Sequence, residues 1–171
     1  MLNNTIEKRP ILDLKMTKLD LLFEILAIAV LGFHWVFIWI YYARLPQIIP
    51  SHIDLNGKID GMGPKHMLLY VPIIGMLLHF AISYTNKKPQ NFNFPYPINE
   101  ENAGRQYRNS LMMTRVVKLL IQFLFAAITA NIIHLASFSG TIFIGLWMFP
   151  VGIVLIILAI FFFVFRGFKL K

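Results

Sequence analysis

The sequence predicts an all-α membrane protein with four transmembrane helices and both termini in the cytoplasm. Three observations carry this. The 171-residue chain is 57% hydrophobic with a mean hydropathy of +0.65, above the ~45–50% apolar content of soluble domains. Its apolar residues gather into four long blocks, each near the ~20 residues that cross a bilayer. Its Lys and Arg residues divide unevenly between the segments that join those blocks.

The elements follow in order. A polar cytoplasmic tail covers 1–18, and one transmembrane domain covers 19–171. The spans are read at about 19–43, 66–84, 111–136 and 141–165. An outer loop, 44–65, joins the first two, and a cytoplasmic loop, 85–110, joins the second and third. The apolar block after Lys18 is too long for a cleaved signal core. The two tails, the second loop and the entry to the third span hold 13 Lys and Arg, whereas the first loop holds only Arg44, Lys58 and Lys65. The short third loop, Ser137 to Gly140, holds none. The positive-inside rule therefore places the termini and second loop in the cytoplasm, with the first loop outside. This accounts for the net charge of +8 without a nucleic-acid partner. Cysteine is absent, so disulfides and thiolate chemistry are excluded. Trp35, Tyr41, Tyr42, Tyr70, Tyr84 and Trp147 partly fit interfacial belts.

The first loop concentrates polar and turn-forming residues. Pro46 and Pro50 fix φ and remove two donors, so it starts extended rather than helical. Asn56-Gly57 is a two-residue turn signal. Residues 45–65 thus read as a short β-hairpin-like element: Ser51–Leu55, turn, Lys58–Asp60. Gly61, Met62 and Gly63 lead back to Pro64, which suits the first position of the second helix. Two readings compete. One is a compact turn closing a helical hairpin. The other is a recognition element built from His52, Asp54, Asp60 and Lys65. One His and two Asp are compatible with a divalent ion, but their spacing is no diagnostic metal signature, and no metal is assigned.

Two segments carry a family resemblance. Leu45-Pro46-x-x-Ile49-Pro50-x-His52, followed by Gly57, Asp60, Gly63 and Lys65, resembles the signature of the domain-of-unknown-function 1648 (DUF1648) family of small bacterial membrane proteins. An aromatic is common there where Met62 stands, and Phe often follows the His where this chain has Ile53. Glu101-Asn102-Ala103-Gly104-Arg105-Gln106-Tyr107-Arg108, leading to Arg115 and Lys118, is similar to the family's segment before its third helix. The same domain forms the N-terminal part of SdpI-like immunity proteins, whose full-length forms carry further helices. The resemblance implies a protein of the bacterial cytoplasmic (inner) membrane tied to resistance or signalling toward an antimicrobial peptide. It supplies no catalytic mechanism.

Charge also lies inside the spans. Arg115, Lys118, Gln122 and Thr129 recur at three, four and seven residues, on one face of the third helix. The cations can snorkel to anionic headgroups. Alternatively they pair with Glu24, five residues into the first helix, at the depth of His79 on the second. An unpaired charge at the bilayer centre costs at least ~2.5–3.5 kcal/mol on insertion scales. Glu24, His79, Arg115, Lys118 and Gln122 are therefore expected to form a polar cluster pinning helices one, two and three. Arg105 and Arg108 form a cytoplasmic basic surface ahead of it. Asn99 is placed to cap a helix that runs continuously from about Glu100 into the third span. The Asn91-Phe92-Asn93-Phe94 alternation suggests an extended segment, its aromatics against the bilayer surface or the helix ends.

His34, His66 and His134 each read as a hydrogen-bonded core or interface residue. With His52 they form an outer-side group compatible with zinc or a pH response. No nucleophile triad, His-Glu-x-x-His motif or paired carboxylates occurs, so neither an enzyme nor a cofactor is expected. The sequence favours a non-enzymatic membrane protein acting in immunity, resistance or envelope-stress sensing toward a membrane-active peptide. Its expected partners are the lipid bilayer, anionic lipid headgroups, an extracellular peptide and a cytoplasmic regulator. The alternative is a small transporter or lipid-binding protein. Four helices are few for a solute path, so transport would require an oligomer.

Overall fold

The computed structural model describes residues 9–54, 58–137 and 147–170. Four helices are long and apolar enough to cross a membrane. They are α1 (Lys18–Tyr42), α2 (Tyr70–Thr85, entered through a 3-10 turn at Lys65–Leu69), α3 (Ala103–Ser137) and α4 (Met148–Lys169). Between α1 and α2 lies an antiparallel hairpin of β1 (Ile48–Ile53) and β2 (Ile59–Pro64). The chain is thus a multi-pass helical membrane protein with one small hairpin.

The distribution of side chains explains why these helices suit lipid. Trp39 is 85% exposed and Phe80 62%, while Lys118 and Gln122 are fully buried. In water that arrangement would be costly. In a bilayer the exposed apolar residues meet acyl chains, and polar groups gain by facing one another.

α1 starts at a capping box. Thr17 Oγ1 accepts from the Asp20 N–H at 3.1 Å, and Asp20 Oδ2 accepts from the Thr17 N–H at 2.8 Å. α3 starts much earlier than a span beginning at 111 requires. Asn99 and Asn102 exchange side-chain-to-backbone bonds of 2.9 and 3.0 Å, and the Ala103 N–H reaches the Asn99 carbonyl. The resulting 35-residue helix is about 52 Å long at 1.5 Å per residue, well beyond a ~30 Å hydrocarbon core. α4 runs to Lys169 instead of ending near 165. Its expected start at 141 lies outside the described residues, as does the third loop from 138.

The hairpin is longer than the sequence suggested. β1 begins at Ile48 rather than Ser51, and β2 continues to Pro64. Pro64 therefore ends a strand and caps the 3-10 turn instead of opening helix two. Packing is the reason. Leu45 and Ile49 are buried against Ile38, Leu68 and Ile133, so the Pro-flanked segment has a core to lie on. Pro50 is tolerated because a two-stranded ribbon has only edges. At Gly63 β2 turns onto the bundle with little room, and a Cβ there would press on the flexible end of the Met67 side chain. The Asn56-Gly57 turn falls outside the described residues.

Both tails and the 86–102 loop gather at the opposite end. Phe94, Tyr96, Ile98, Ala103 and Tyr107 form a second buried cluster there. The Phe92 and Phe94 rings pack on Tyr96, Tyr107 and the tail, which realises the helix-end alternative. The N-terminal segment straps this cluster. Arg9 donates to the carbonyls of Gln90 (3.1 Å) and Phe92 (2.5 Å) and lies over the Phe94 ring. The Tyr107 hydroxyl donates to the Pro10 carbonyl at 3.0 Å. Burial pushes the Tyr96 phenol up from its ordinary value where the ring packs edge-on with Phe168 of α4.

Candidate functional site

Two polar features interrupt the apolar bundle, one between the helices and one under the hairpin. The first is a charge quartet. Arg115 donates from Nη1 to Asp20 at 2.7 Å and from Nε to Glu24 at 3.2 Å. Lys118 Nζ donates to Glu24 at 2.5 Å and to Ser83 at 2.8 Å. Two cations and two carboxylates cancel, and every member is hydrogen-bonded. Lys118 is fully buried, so it points into the bundle and does not snorkel.

The structure thus joins Glu24, Arg115 and Lys118. It treats the other two expected members differently. Gln122 turns from the charges to donate to the Gly75 carbonyl of α2 at 2.8 Å. His79 is buried on α2 one turn from Ser83, with no partner at Nδ1 among the described residues. Asp20 and Ser83 belong to the cluster but were missed. Asp20 lies four residues before Glu24, hence on the same helical face, and that spacing was the available signal.

α1 and α3 run parallel with a nearly fixed offset. Asp20 meets Arg115, Glu24 meets Lys118, and farther along His34 Nε2 pairs with Thr129 Oγ1 at 2.8 Å. Buried Ala27 and Leu31 separate the quartet from the His34 pair. Polar contacts therefore fix the helices at separate depths, with dry packing between.

The second feature is a cavity of about 600 Å³ under the hairpin, within the ~300–1,000 Å³ typical of small-molecule sites. Ile53, Ile128, Ile132, Trp147, Phe149 and Pro150 make its apolar walls. Ser51, His52 and Asp54 form a polar lip, and Asn131 adds a polar group from α3. Buried Ile49 of β1 and Leu45 just ahead of the strand hold the lip in place, and a register irregularity at His52 shifts the strand locally. His52 Nδ1 pairs with Asp60 Oδ1 at 2.5 Å across the hairpin. Asp54 Oδ1 accepts from the Lys58 N–H at 2.8 Å.

The other expected contact residues divide. Pro50 lines the cavity, while Pro46 is exposed in the link before β1. Gly63 pairs with Ile49, and the Lys65 ammonium sits 5.0 Å from the centre of the Tyr42 ring. Gly57 lies outside the described residues. Arg105 and Arg108 are exposed at the opposite end of α3. The expected histidine group does not assemble. His34 is buried on Thr129, His52 faces Asp60, and His66 packs edge-on against Tyr70. Among the described residues no three His, Asp or Glu converge as metal ligands.

The comparisons with known proteins address the family rather than the reaction. An uncharacterized protein of Archaeoglobus fulgidus is 26% identical over 131 residues, covering 68% of this chain and 69% of that protein. No solved structure matches. A family model, the domain of unknown function DUF1648, matches residues 29–76, from the middle of α1 through the hairpin into α2. The DUF1648 resemblance carried by the Leu45–Lys65 motif therefore holds over the segment that builds the lip of the cavity.

Proposed function

We propose that this is a non-enzymatic protein of the bacterial cytoplasmic membrane that recognises a membrane-active peptide, as an immunity protein or an envelope-stress sensor. The cavity carries this reading. It combines apolar walls with a polar lip, the pairing that an amphipathic ligand needs. With the termini inside, the orientation that the positive charge bias favours, the hairpin faces outward, where such a ligand arrives. The strapped cluster at the other end then lies in the cytoplasm, beside exposed Arg105 and Arg108, where anionic lipid or a regulator would bind.

Challenge of a deletion strain with membrane-active peptides tests this. Complementation by the wild type should restore tolerance, and complementation by Ile132→Phe, which fills the cavity, should not. Equal tolerance with and without the gene would sink the proposal. The second reading, a small oligomeric transporter or lipid-binding protein, draws on the buried polar residues of α3. Against it, the quartet is self-neutralised and Ala27 and Leu31 pack beyond it. Altered solute uptake by proteoliposomes, with unchanged peptide tolerance, would favour that second reading.

A further inference from the structure

We infer that the α3–α4 pair, where it leaves the bilayer at the loop end, binds a lipid that carries two phosphates, diphosphatidylglycerol (cardiolipin), through Arg105, Arg108, Arg166 and Lys169. This rests on placing that end against anionic lipid, and it adds which lipid. It is separate from peptide recognition at the hairpin end.

Inside the bundle the chain supplies its own counterions, since Asp20 and Glu24 match Arg115 and Lys118. At the loop end it does not. Arg105 and Arg108 on α3 and Arg166 and Lys169 on α4 are all exposed. None of them takes part in an ion pair among the described residues. Carboxylates are at hand, because Asp13, Glu100 and Glu101 are exposed at the same end, yet none pairs with these cations. Packing gathers the four charges. Gln106 donates to the Gly167 carbonyl at 2.9 Å and Asn109 to the Phe163 carbonyl at 2.8 Å, which fixes the register of the antiparallel α3 and α4. That register sets Arg105 near the level of Lys169 and Arg108 near the level of Arg166. At about 3.6 residues per turn, both pairs turn to the same side of the seam. With helix axes ~8–10 Å apart, four positive charges share one face and repel unless an anion lies among them. Depth identifies that anion. The apolar stretches of the sequence begin near 111 on α3 and end near 165 on α4, so at 1.5 Å per residue the patch lies within about 9 Å of them. The headgroup layer is roughly 5–8 Å thick on each side of the hydrocarbon, which brings lipid phosphates to the patch. Toward the bilayer, the same side of α4 carries exposed Phe162, Leu158 and Leu155, a dry wall for acyl chains. A single phosphodiester offsets one charge. Two phosphodiesters bridged by one glycerol match the two cation pairs, and basic pockets between spanning helices suit such headgroups. Arg supplies three of the four cations, and its planar fork holds phosphate oxygens in pairs.

Lipid titration of the full chain in detergent, read by native mass spectrometry, tests this. Cardiolipin, phosphatidylglycerol and phosphatidylcholine are the probes. One cardiolipin per chain should be retained, with an affinity about tenfold or more above that of phosphatidylglycerol, a difference worth ~1.4 kcal/mol. Arg108→Gln with Arg166→Gln should remove most of that preference, and Arg105→Gln with Lys169→Gln should repeat the loss. Thermal unfolding should stay unchanged in both, because all four sites are exposed. Arg108→Lys with Arg166→Lys should keep much of the preference. Lys87→Gln with Lys88→Gln removes the same charge just past α2 and should leave the preference in place. An equal loss there would reduce the effect to net charge and overturn the site. Equal affinities for cardiolipin and phosphatidylglycerol, both above phosphatidylcholine, would overturn the two-phosphate assignment and leave the anionic-lipid reading standing. No preference over phosphatidylcholine would overturn both. Displacement of cardiolipin by pyrophosphate or by a polyglutamate peptide at equal concentration would overturn the lipid as occupant.

Discussion

The two ends of the molecule are built on opposite principles. At the loop end, side-chain contacts tie the segments together. Arg9 clasps the 86–102 loop, Gln106 and Asn109 donate to the Gly167 and Phe163 carbonyls of α4, and four charges cancel beneath them. At the hairpin end, two strands rest on a few buried aliphatics and leave about 600 Å³ open. Binding regions come from the less stable parts of a fold because a ligand must be able to enter. The contrast teaches that polar residues at one end hold helices together, while those at the other are left at a mouth.

Four substitutions can break or sharpen this contrast. The largest effect is expected at Glu24. Glu24→Gln leaves two buried cations with one carboxylate, and breaking such a pair costs about 3–5 kcal/mol. Thermal unfolding in detergent should show it. Glu24→Gln with Arg115→Gln should lose less than the sum of the single changes; strict additivity would disprove the coupling. Next is Ile49→Ala, which removes the hairpin's anchor at about 2–5 kcal/mol for a buried site. Hydrogen exchange should rise in β1 and β2 far more than in α3. Uniform loosening would mean that the hairpin is no separate unit.

Gly167→Ala places a methyl against the Tyr96 hydroxyl and should cost about 1–3 kcal/mol by overpacking. Proteolysis of the tail and the 86–102 loop should accelerate, and hydrogen exchange in β1 and β2 should stay unchanged. A loss of protection there would show the two ends to be coupled. The smallest effect is expected from His52→Ala. Its pair with Asp60 is exposed, with side chains 70% and 45% accessible, so stability should change by about 1 kcal/mol or less. A larger loss would make the lip structural.

The four spans were legible because bilayer thickness imposes a length and because lipid excludes unpaired polar backbone. Glu24, Arg115 and Lys118 were legible because an isolated charge there is too costly to stand alone. Asp20 was hidden by its position at the helix start, where an acidic cap is ordinary. The start of β1 was hidden for another reason. Ile48 and Ile49 become strand-forming only when Ile38 and Ile133 are present to cover Ile49. The early start of α3 was legible at Asn99 and Glu100, and Tyr107 holds that extension because Pro10 and Phe94 pack on it. The cavity could not be read at all, since it arises between segments some 80 residues apart along the chain.

α3 takes part in both ends. Ile133 supports the hairpin, and Tyr107, 26 residues earlier, holds the N-terminal strap. Between them the helix contains neither proline nor glycine, the usual causes of a kink. It is a shaft about 39 Å long at 1.5 Å per residue, without a built-in kink. Hairpin and strap are therefore gauged against one ruler, and loosening either leaves the seat of the other on the helix where it was.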